Sequence, residues 1–512
     1  MRKLKRFLFS KRFFVVLLAV VQIFLFFALT VRFYTAGAII YFSMIVLSVM
    51  TMLYIFERDD MNPAYKIFWM LNMVVFPVTG AVFYVMFGDT KMTRKQKKHM
   101  LRVVERTRKV MKPAPEITEK INAMDRGLGK QAYYLEKRAY APAYENTAVK
   151  YYSMGAAYFR DLLADMEKAQ KSIFLQYFII DEGYMWGRIL DVLKRKAAEG
   201  VDVRLIYDGW GCLINFPQGY EETLRSYGIK VCIFNDVKFS LHIGDYLMLN
   251  HRDHRKIAVI DSVIGYTGGI NLADEYINYV ERFGVWKDTG FRLEGDAVWS
   301  LTATFIQTWE YDSGERMNYL DYRPGYSRET DGIVQPYFDT PLDRVNVCEN
   351  TYLSVINNAK EYVYIATPYL IVDDEMLTAL KISARSGIDV RIVVPGIPDK
   401  WYVYYVTQSY YRTLLEAGVK IYEYTPGFVH AKMYVSDDRQ AIVGGANTDY
   451  RSMYLNFENC CSFYGGSMPG RVKADFQEMF SHSRLVTQKD VDRTPFVKRL
   501  LQIVFRLLSP MM

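Results

Sequence analysis

The sequence predicts an α/β protein made of two similar domains, each a mixed β-sheet flanked by helices, behind apolar N-terminal segments. Short apolar runs of strand character alternate with amphipathic helical runs. That pattern returns after about 186 to 192 residues, an offset that marks a duplicated domain and not a solenoid, whose periods are roughly 20 to 50 residues. Three apolar stretches open the chain, at residues 13–31, 36–56 and 67–87. At 512 residues there is room for an anchor and two domains of ordinary size.

In order along the chain, residues 1–90 read as a membrane anchor. A spanning helix needs about 20 largely apolar residues, and each stretch reaches that length with no internal charge. No small-residue cleavage site follows the first, which therefore reads as an anchor and not as a removed signal peptide. Basic residues flank the set on both sides, from Arg2 to Arg12 and from Lys91 to Lys112. The positive-inside rule wants both flanks in the cytoplasm, whereas three full spans separate them. The third stretch, with Asn72, Pro77 and Gly80, is the candidate for a re-entrant or interfacial element. Three true spans with an exported N-terminus are the alternative. Either way the stronger basic cluster leaves the bulk of the chain cytoplasmic.

Residues 91–140 read as a charged helical linker, 141–325 and 326–490 as the two domains, and 491–512 as a C-terminal amphipathic helix. In the first domain a helix precedes an apolar strand at 172–180, then come a helix at 188–199 and a strand at 201–207. The second copy repeats this: AEGVDVRLIYDG answers ARSGIDVRIVVPG, and LRSYGIKVCIFN answers LLEAGVKIYEYT. The stretch 321–342, with Pro324, Gly325 and Pro341, is the connection. Two like halves imply a pseudo-two-fold site between them.

Composition narrows the partners without naming one. The formal charge is +8, and the 41 tyrosines help raise the aromatic fraction to 15%, which suits an anionic surface or substrate. Five cysteines, odd in number and without CxxC spacing, exclude a disulfide framework and read as reduced cytosolic thiols.

The chemistry is concentrated in one repeated motif. His254, Lys256 and Asp261 fit H-x-K-x4-D, with Gly268, Gly269 and Asn271 following; His430, Lys432, Asp437, Gly444, Gly445 and Asn447 repeat the set at identical spacing. Residues two apart on a strand share a face, so each copy presents an imidazole and an ammonium side by side. The glycines permit a tight turn or close backbone approach, and the asparagine adds an amide donor. Two such sets around one small volume make a phosphate site.

On these residues the chain resembles the phospholipase D superfamily, and within it the bacterial cardiolipin synthases. The resemblance runs from about residue 61 to the end, through HRKIAVID, TGGINLADEYI, WKDTGFRLEGDAV, HAKMYVSDD and GGANTDYRSMYLNFE. Two departures are the additional apolar segment at 13–31 and a second glycine where many relatives carry Ser or Thr before the motif Asn.

The resemblance implies two phospholipase D-type domains packed about a pseudo-two-fold axis, and a site needing no metal or cofactor. One neutral imidazole attacks a phosphodiester to give a phosphohistidine; the opposite one protonates the leaving alkoxide and then deprotonates the incoming hydroxyl. By analogy His254 is the nucleophile and His430 the acid/base. Lys256, Lys432, Asn271 and Asn447 stabilise the non-bridging oxygens. Asp288 in WKD and Glu458 in LNFE stand where the family places the acids that orient the histidines. Asp261 and Asp437 complete the motif and are expected to support the strand and turn.

The function implied is cardiolipin synthesis: phosphatidyl transfer between two phosphatidylglycerol molecules, releasing glycerol, at the bacterial cytoplasmic membrane. The alternative is a phospholipase D-type hydrolase with water as acceptor. A nuclease on the same pattern is opposed by the membrane segments, so no nucleic-acid partner is expected. Oligomeric state stays open. A zinc site at His251 and His254 lacks further ligands, and a kinase HRD loop at 251–253 lacks its companion motifs. His251 reads as an ordinary polar residue near the site mouth, and His99 and His482 as surface residues. The run Lys91–Lys112 is expected to attract anionic lipid headgroups. The C-terminal helix reads equally as core or interfacial.

Overall fold

The computed structural model describes residues 34–88, 94–236 and 250–512, apart from single loop positions (214, 218, 324, 326, 327, 329–331 and 344), together with residues 20, 21, 24 and 28. The first apolar stretch therefore falls largely outside the described residues, and His242, in the insertion that lengthens the first half before its motif, wholly outside them. Two compact units form: residues 1–93 with 238–250, and residues 94–237 with 251–512.

In the first unit three helices follow one another, Tyr34–Glu57, Pro63–Val75 and Pro77–Phe87. The third apolar stretch is broken where Phe76 leaves helical geometry before Pro77, which disfavours the helical region for its predecessor. Gly80 then lets the two short helices close on each other: a Cβ there would lie 2.9 Å from the Asn72 carbonyl oxygen. Trp69 is buried between them against Phe83 and Tyr84. Phe42, Leu47, Leu53 and Phe56 of the first helix are exposed. Among the described residues, which within that helix include few side chains before residue 41, no helix is long and apolar enough to cross a membrane.

The second unit holds the duplicated fold. Its first half contains β1 (Thr147–Tyr152), β2 (Ser172–Tyr177), β3 (Asp202–Asp208), β4 (Lys230–Phe234), β5 (Arg252–Asp253), β6 (Ile257–Ile260), β7 (Ile264–Gly268), β8 (Val285–Lys287) and β9 (Gly290–Gly295). Its second half contains β10 (Ile333–Asp339), β11 (Tyr362–Ala366), β12 (Asp389–Pro395), β13 (Lys420–Tyr424), β14 (Gly427–Val429), β15 (Met433–Ser436), β16 (Gln440–Gly444), β17 (Asn456–Tyr464) and β18 (Ser483–Leu485). The first sheet runs β1-β9-β7-β6-β2-β3-β4 and the second β10-β17-β16-β15-β11-β12-β13-β18. Strand for strand the order is the same, with β18 added at one edge. Both sheets are mixed: β2-β3-β4 and β11-β12-β13 are parallel, while the other pairs on these paths are antiparallel.

Alternation along the strands divides the core. Phe174, Ile257, Val259, Phe291 and Leu293 of the first sheet join Met433, Val435, Val443, Cys461 and Phe463 of the second in one cluster, so the sheets share a core face. Ile173, Leu175, Ala258 and Ile260 point the other way, into a cluster closed by the helices Gly155–Met166 and Tyr184–Ala198. All five cysteines are buried and free.

The stretch expected as a linker folds as three helices, Arg94–Val110, Pro115–Met124 and Arg126–Arg138. These are packed elements of the body. Ile121, Leu128 and Ala132 share a cluster with Ile333 and Tyr464 of the second sheet, and Arg106 pairs with Glu310 at 2.6 Å. His99, expected on the surface, is half-buried and stacks on Tyr311.

Both motif aspartates open three-residue hairpin loops, 261–263 between β6 and β7 and 437–439 between β15 and β16, and each stands in left-handed conformation together with the next residue, Ser262 or Asp438. Asp tolerates the left-handed region better than most side chains. The Asp261 carboxylate accepts from the backbone N–H groups of Gln170, Lys171 and Ser172, and Asp437 from those of Lys360, Glu361 and Tyr362. Each thereby pins its turn to the start of the neighbouring strand, β2 or β11. Asp437→Ala should lower stability by about 2 kcal/mol, because three donors lose a charged acceptor. Asp437→Asn, which keeps an acceptor and the turn geometry, should recover most of that; equal denaturation midpoints for Ala and wild type would contradict this role.

Candidate functional site

The site is assembled by exchange between the halves. The short strand β5, just before His254, pairs in parallel with β17 of the second half, and β14, just before His430, pairs in parallel with β8 of the first. The His254 backbone N–H donates to the Phe457 carbonyl at 2.9 Å, and that of His430 to the Lys287 carbonyl at 2.7 Å. Each acceptor immediately precedes an acid. His254 Nδ1 consequently meets Glu458 at 2.9 and 3.0 Å, and His430 Nδ1 meets Asp288 at 2.6 Å. Each half orients the other's histidine.

The glycines of the motif make room for this. A Cβ on Gly269 would fall 2.2 Å from the Asp288 carboxylate, and one on Gly444 would fall 2.6 Å from Cys460 Cα. A serine or threonine at 269 has no space here, which accounts for one of the two second glycines.

Lys256 and Lys432 are buried, and their ammonium groups donate to the carbonyls of His254 and His430 respectively. Lys432 Nζ also lies 2.8 Å from His430 Nδ1. The shorter, charge-assisted contact to Asp288 fixes the proton on Nδ1, leaving Nε2 of each histidine as the reactive atom. Asn271 and Asn447 are buried too: Asn271 accepts from Ile179 N–H and donates to Tyr276, while Asn447 donates to Asp449 at 2.9 Å. Asn447 Oδ1 is buried with no protein partner. The site does not gather Asp261 and Asp437, whose carboxylates serve the turns.

Phe178 packs edge-on against His254; Tyr276, Trp286 and Phe428 surround His430. This apolar wall sets the electrostatics. Burial pulls His254 down to about 4, against Glu458 and with help from Lys256. Burial and Lys432 pull His430 down to about 3, against Asp288. Both imidazoles are therefore neutral at rest. Burial likewise takes Lys256 to about 7 and Lys432 to about 8, with the two carboxylates opposing. Burial pushes Asp288 and Glu458 up, yet the facing histidines and lysines hold both below the ordinary carboxylate range. Lys432 acts on His254 and Lys256 on His430, so the two sets share one field.

Sequence reasoning missed the aromatic wall and Asn459, which accepts the Lys256 N–H at 3.2 Å. Trp286 stood in view two residues before Asp288. His251, expected near the site mouth, is instead buried, with Nδ1 3.1 Å from the Leu455 carbonyl; the β5–β17 pairing draws it inside. His482 is exposed as expected. Another acidic group, Glu349, Asp373 and Glu375, brings its oxygens within 4.8 Å of one another. Burial and Asp373 push Glu349 up to about 9, and the Tyr454 hydroxyl lies within hydrogen-bond distance of both Glu349 and Asp373.

Residues 162–292 and 352–482 match the family model described as cardiolipin synthase, PLD-like domain. An uncharacterized protein of Streptococcus mutans is 40% identical over 457 residues, 89% of this chain and 98% of that one. A cardiolipin synthase of Alkalihalophilus pseudofirmus is 37% identical over 464 residues, 89% of this chain and 90% of its own length. The phosphatidylserine synthase of Haemophilus influenzae superposes with a TM-score of 0.58 at 16% identity, covering 75% of this chain and 99% of that one. That last likeness is one of fold.

An anion entering this site raises the lysine pKa values, since only the charged amines bind it. Tungstate, a phosphate mimic, should be bound with uptake of protons, and its affinity should fall as pH rises through about 7 to about 8, where the free lysines lose charge. Calorimetry in two buffers of different ionisation enthalpy reads both. Affinity unchanged across that window would contradict the electrostatic account.

Proposed function

The chain belongs to the cardiolipin synthase family with phospholipase D-like domains, and we propose that it transfers a phosphatidyl group from one phosphatidylglycerol to another, giving cardiolipin and glycerol. The observation that carries the chemistry is the crossed arrangement: two histidines, each with Nδ1 on an acid of the opposite half, and two buried lysines in one field.

His254 Nε2 attacks the phosphorus of the first lipid. The P–O bond to glycerol breaks, and protonated His430 gives its proton to the departing alkoxide. His430 is neutral in the empty site; the phosphodiester charge is what makes its protonation favourable. The terminal hydroxyl of a second phosphatidylglycerol then attacks, its proton passes to His430, and the P–N bond breaks. Lys256, Lys432, Asn271 and Asn447 hold the non-bridging oxygens through their N–H groups. Asp288 and Glu458 keep the imidazole tautomers and stabilise their charged forms.

The apolar stretches at 13–31, 36–56 and 67–87 anchor the protein in the bacterial cytoplasmic membrane, with the catalytic halves on the cytoplasmic side. The third, split at Phe76 into helices of 13 and 11 residues, is the re-entrant or interfacial one. The exposed Lys97, Lys98, Arg102, Arg108 and Lys109 then face anionic headgroups.

Purified protein given phosphatidylglycerol in the presence of a chelator should yield cardiolipin and glycerol by mass spectrometry. Phosphatidic acid as the main product would assign hydrolysis instead, and loss of turnover restored by a divalent metal would sink the metal-free route. In samples quenched with denaturant at neutral pH, where the P–N bond survives, His254→Ala should abolish any covalent phosphatidyl-enzyme. Accumulation of that species in His254→Ala, with its absence in His430→Ala, would reverse the two roles.

A further inference from the structure

The last helix, Phe496–Leu507, is turned inside out. A helix on a water-soluble surface buries its apolar stripe and shows its charges. Here Phe496 is 79% and Ile503 62% exposed, and Val497, Leu500, Val504 and Leu507 are exposed beside them. The half-buried positions, turned toward the protein, are Lys498, Gln502, Phe505 and Arg506. Of the apolar residues only Phe505 packs closely, against Trp401, with Tyr402 and Tyr405 at its rim.

Behind the helix lies a cleft of about 480 Å³ lined by Arg412, Arg484, Lys498, Arg499 and Arg506, with Glu423 and Asp490 as its acids. Two of the five cations are neutralised: Arg412 pairs with Asp492 at 2.9 Å, and Arg484 with Glu423 at 2.6 Å and Asp490 at 3.2 Å. The three on the helix are not. Lys498 lies over the Tyr405 ring, Arg506 over the Tyr410 ring, and Arg499 donates to the Asp492 backbone carbonyl. Among the described residues none of these three has a carboxylate within ion-pair distance.

We propose that this helix lies in the surface of a lipid leaflet, its apolar face among the acyl chains, and that the cleft behind it takes the phosphate of an anionic phospholipid. The pattern fits lipid better than protein. Of the exposed side chains of the helix only Arg499 is polar, and it stands at the edge of the apolar arc, so the outward face lacks the polar rim of a protein interface. The three cations stand at the level where an in-plane helix meets headgroups, and Trp401, itself 57% exposed, supplies the ring that settles there. The surface contains none of the motif residues, so the inference stands apart from the catalytic reading.

The test uses the full-length chain in vesicles, with Ile503→Cys carrying an environment-sensitive fluorophore; the five native cysteines are buried, so labelling is selective. Vesicles of phosphatidylcholine, with or without phosphatidylserine, carry bromine on the acyl chains of one lipid or the other. Bromine should quench the label, more strongly from phosphatidylserine than from phosphatidylcholine, and iodide in solution should not reach it. Replacing Lys498, Arg499 and Arg506 by Gln should weaken the preference for phosphatidylserine by about fivefold per charge at low salt. The charge-conserving set K498R/R499K/R506K should retain it. Quenching by iodide, equal quenching from both lipids, or shielding that depends on protein concentration, as a second copy on this face would give, each overturns the proposal. No phosphatidyl transfer is measured, so failure of the catalytic reading leaves the outcome unaffected.

Discussion

The catalytic centre depends on the reciprocal pairing of two short strands, β5 on β17 and β14 on β8. This pairing fixes each histidine backbone to the residue before the opposite half's acid, and so fixes the imidazole on the carboxylate. Neither half carries a complete orienting pair of its own. The shared core of the two sheets, with Phe291 edge-on to Phe463 at 5.1 Å, holds the halves in the one relation that lets both exchanges form. Packing is here a condition of the chemistry and not only of stability.

Burial is the second constraint, and it works in both directions. The aromatic wall strips water from two imidazoles and two ammonium groups, which keeps both imidazoles neutral and draws the lysines toward neutrality near physiological pH. Alone, the site is a poor place for positive charge. A phosphodiester anion supplies the missing partner, so the electrostatic cost built into the empty site becomes selectivity for the substrate class. The two carboxylates complete this balance: below their ordinary range, they remain ionised where the reaction needs a charge to support an imidazolium.

Much of this was legible along the chain. The duplicated strand–helix–strand pattern and the paired H-x-K spacing, with both glycine pairs and both asparagines, report local periodicities that a sheet must obey. The aspartates were legible as turn supports for the same reason: a tight hairpin and the nearby strand start leave a carboxylate little else to do. The 91–140 segment misled because its charge is high throughout, and only contact with Glu310, Ile333 and Tyr464 makes it part of the body. His251 misled because its surroundings in sequence are polar, while its surroundings in space are those of a strand of the other half.

By itself the sequence determined two copies of one sheet and two copies of one motif, since strand alternation and turn chemistry act over a few residues. Which acid serves which histidine was decided by the tertiary structure. Asp288 lies 34 residues after His254 and Glu458 lies 28 after His430, so proximity along the chain favours pairing within each half. The fold pairs across instead, because β8 and β17 meet the short strand before the other half's histidine. Spacing sets what a strand presents on its face; only the packing of one sheet against the other sets what that face meets.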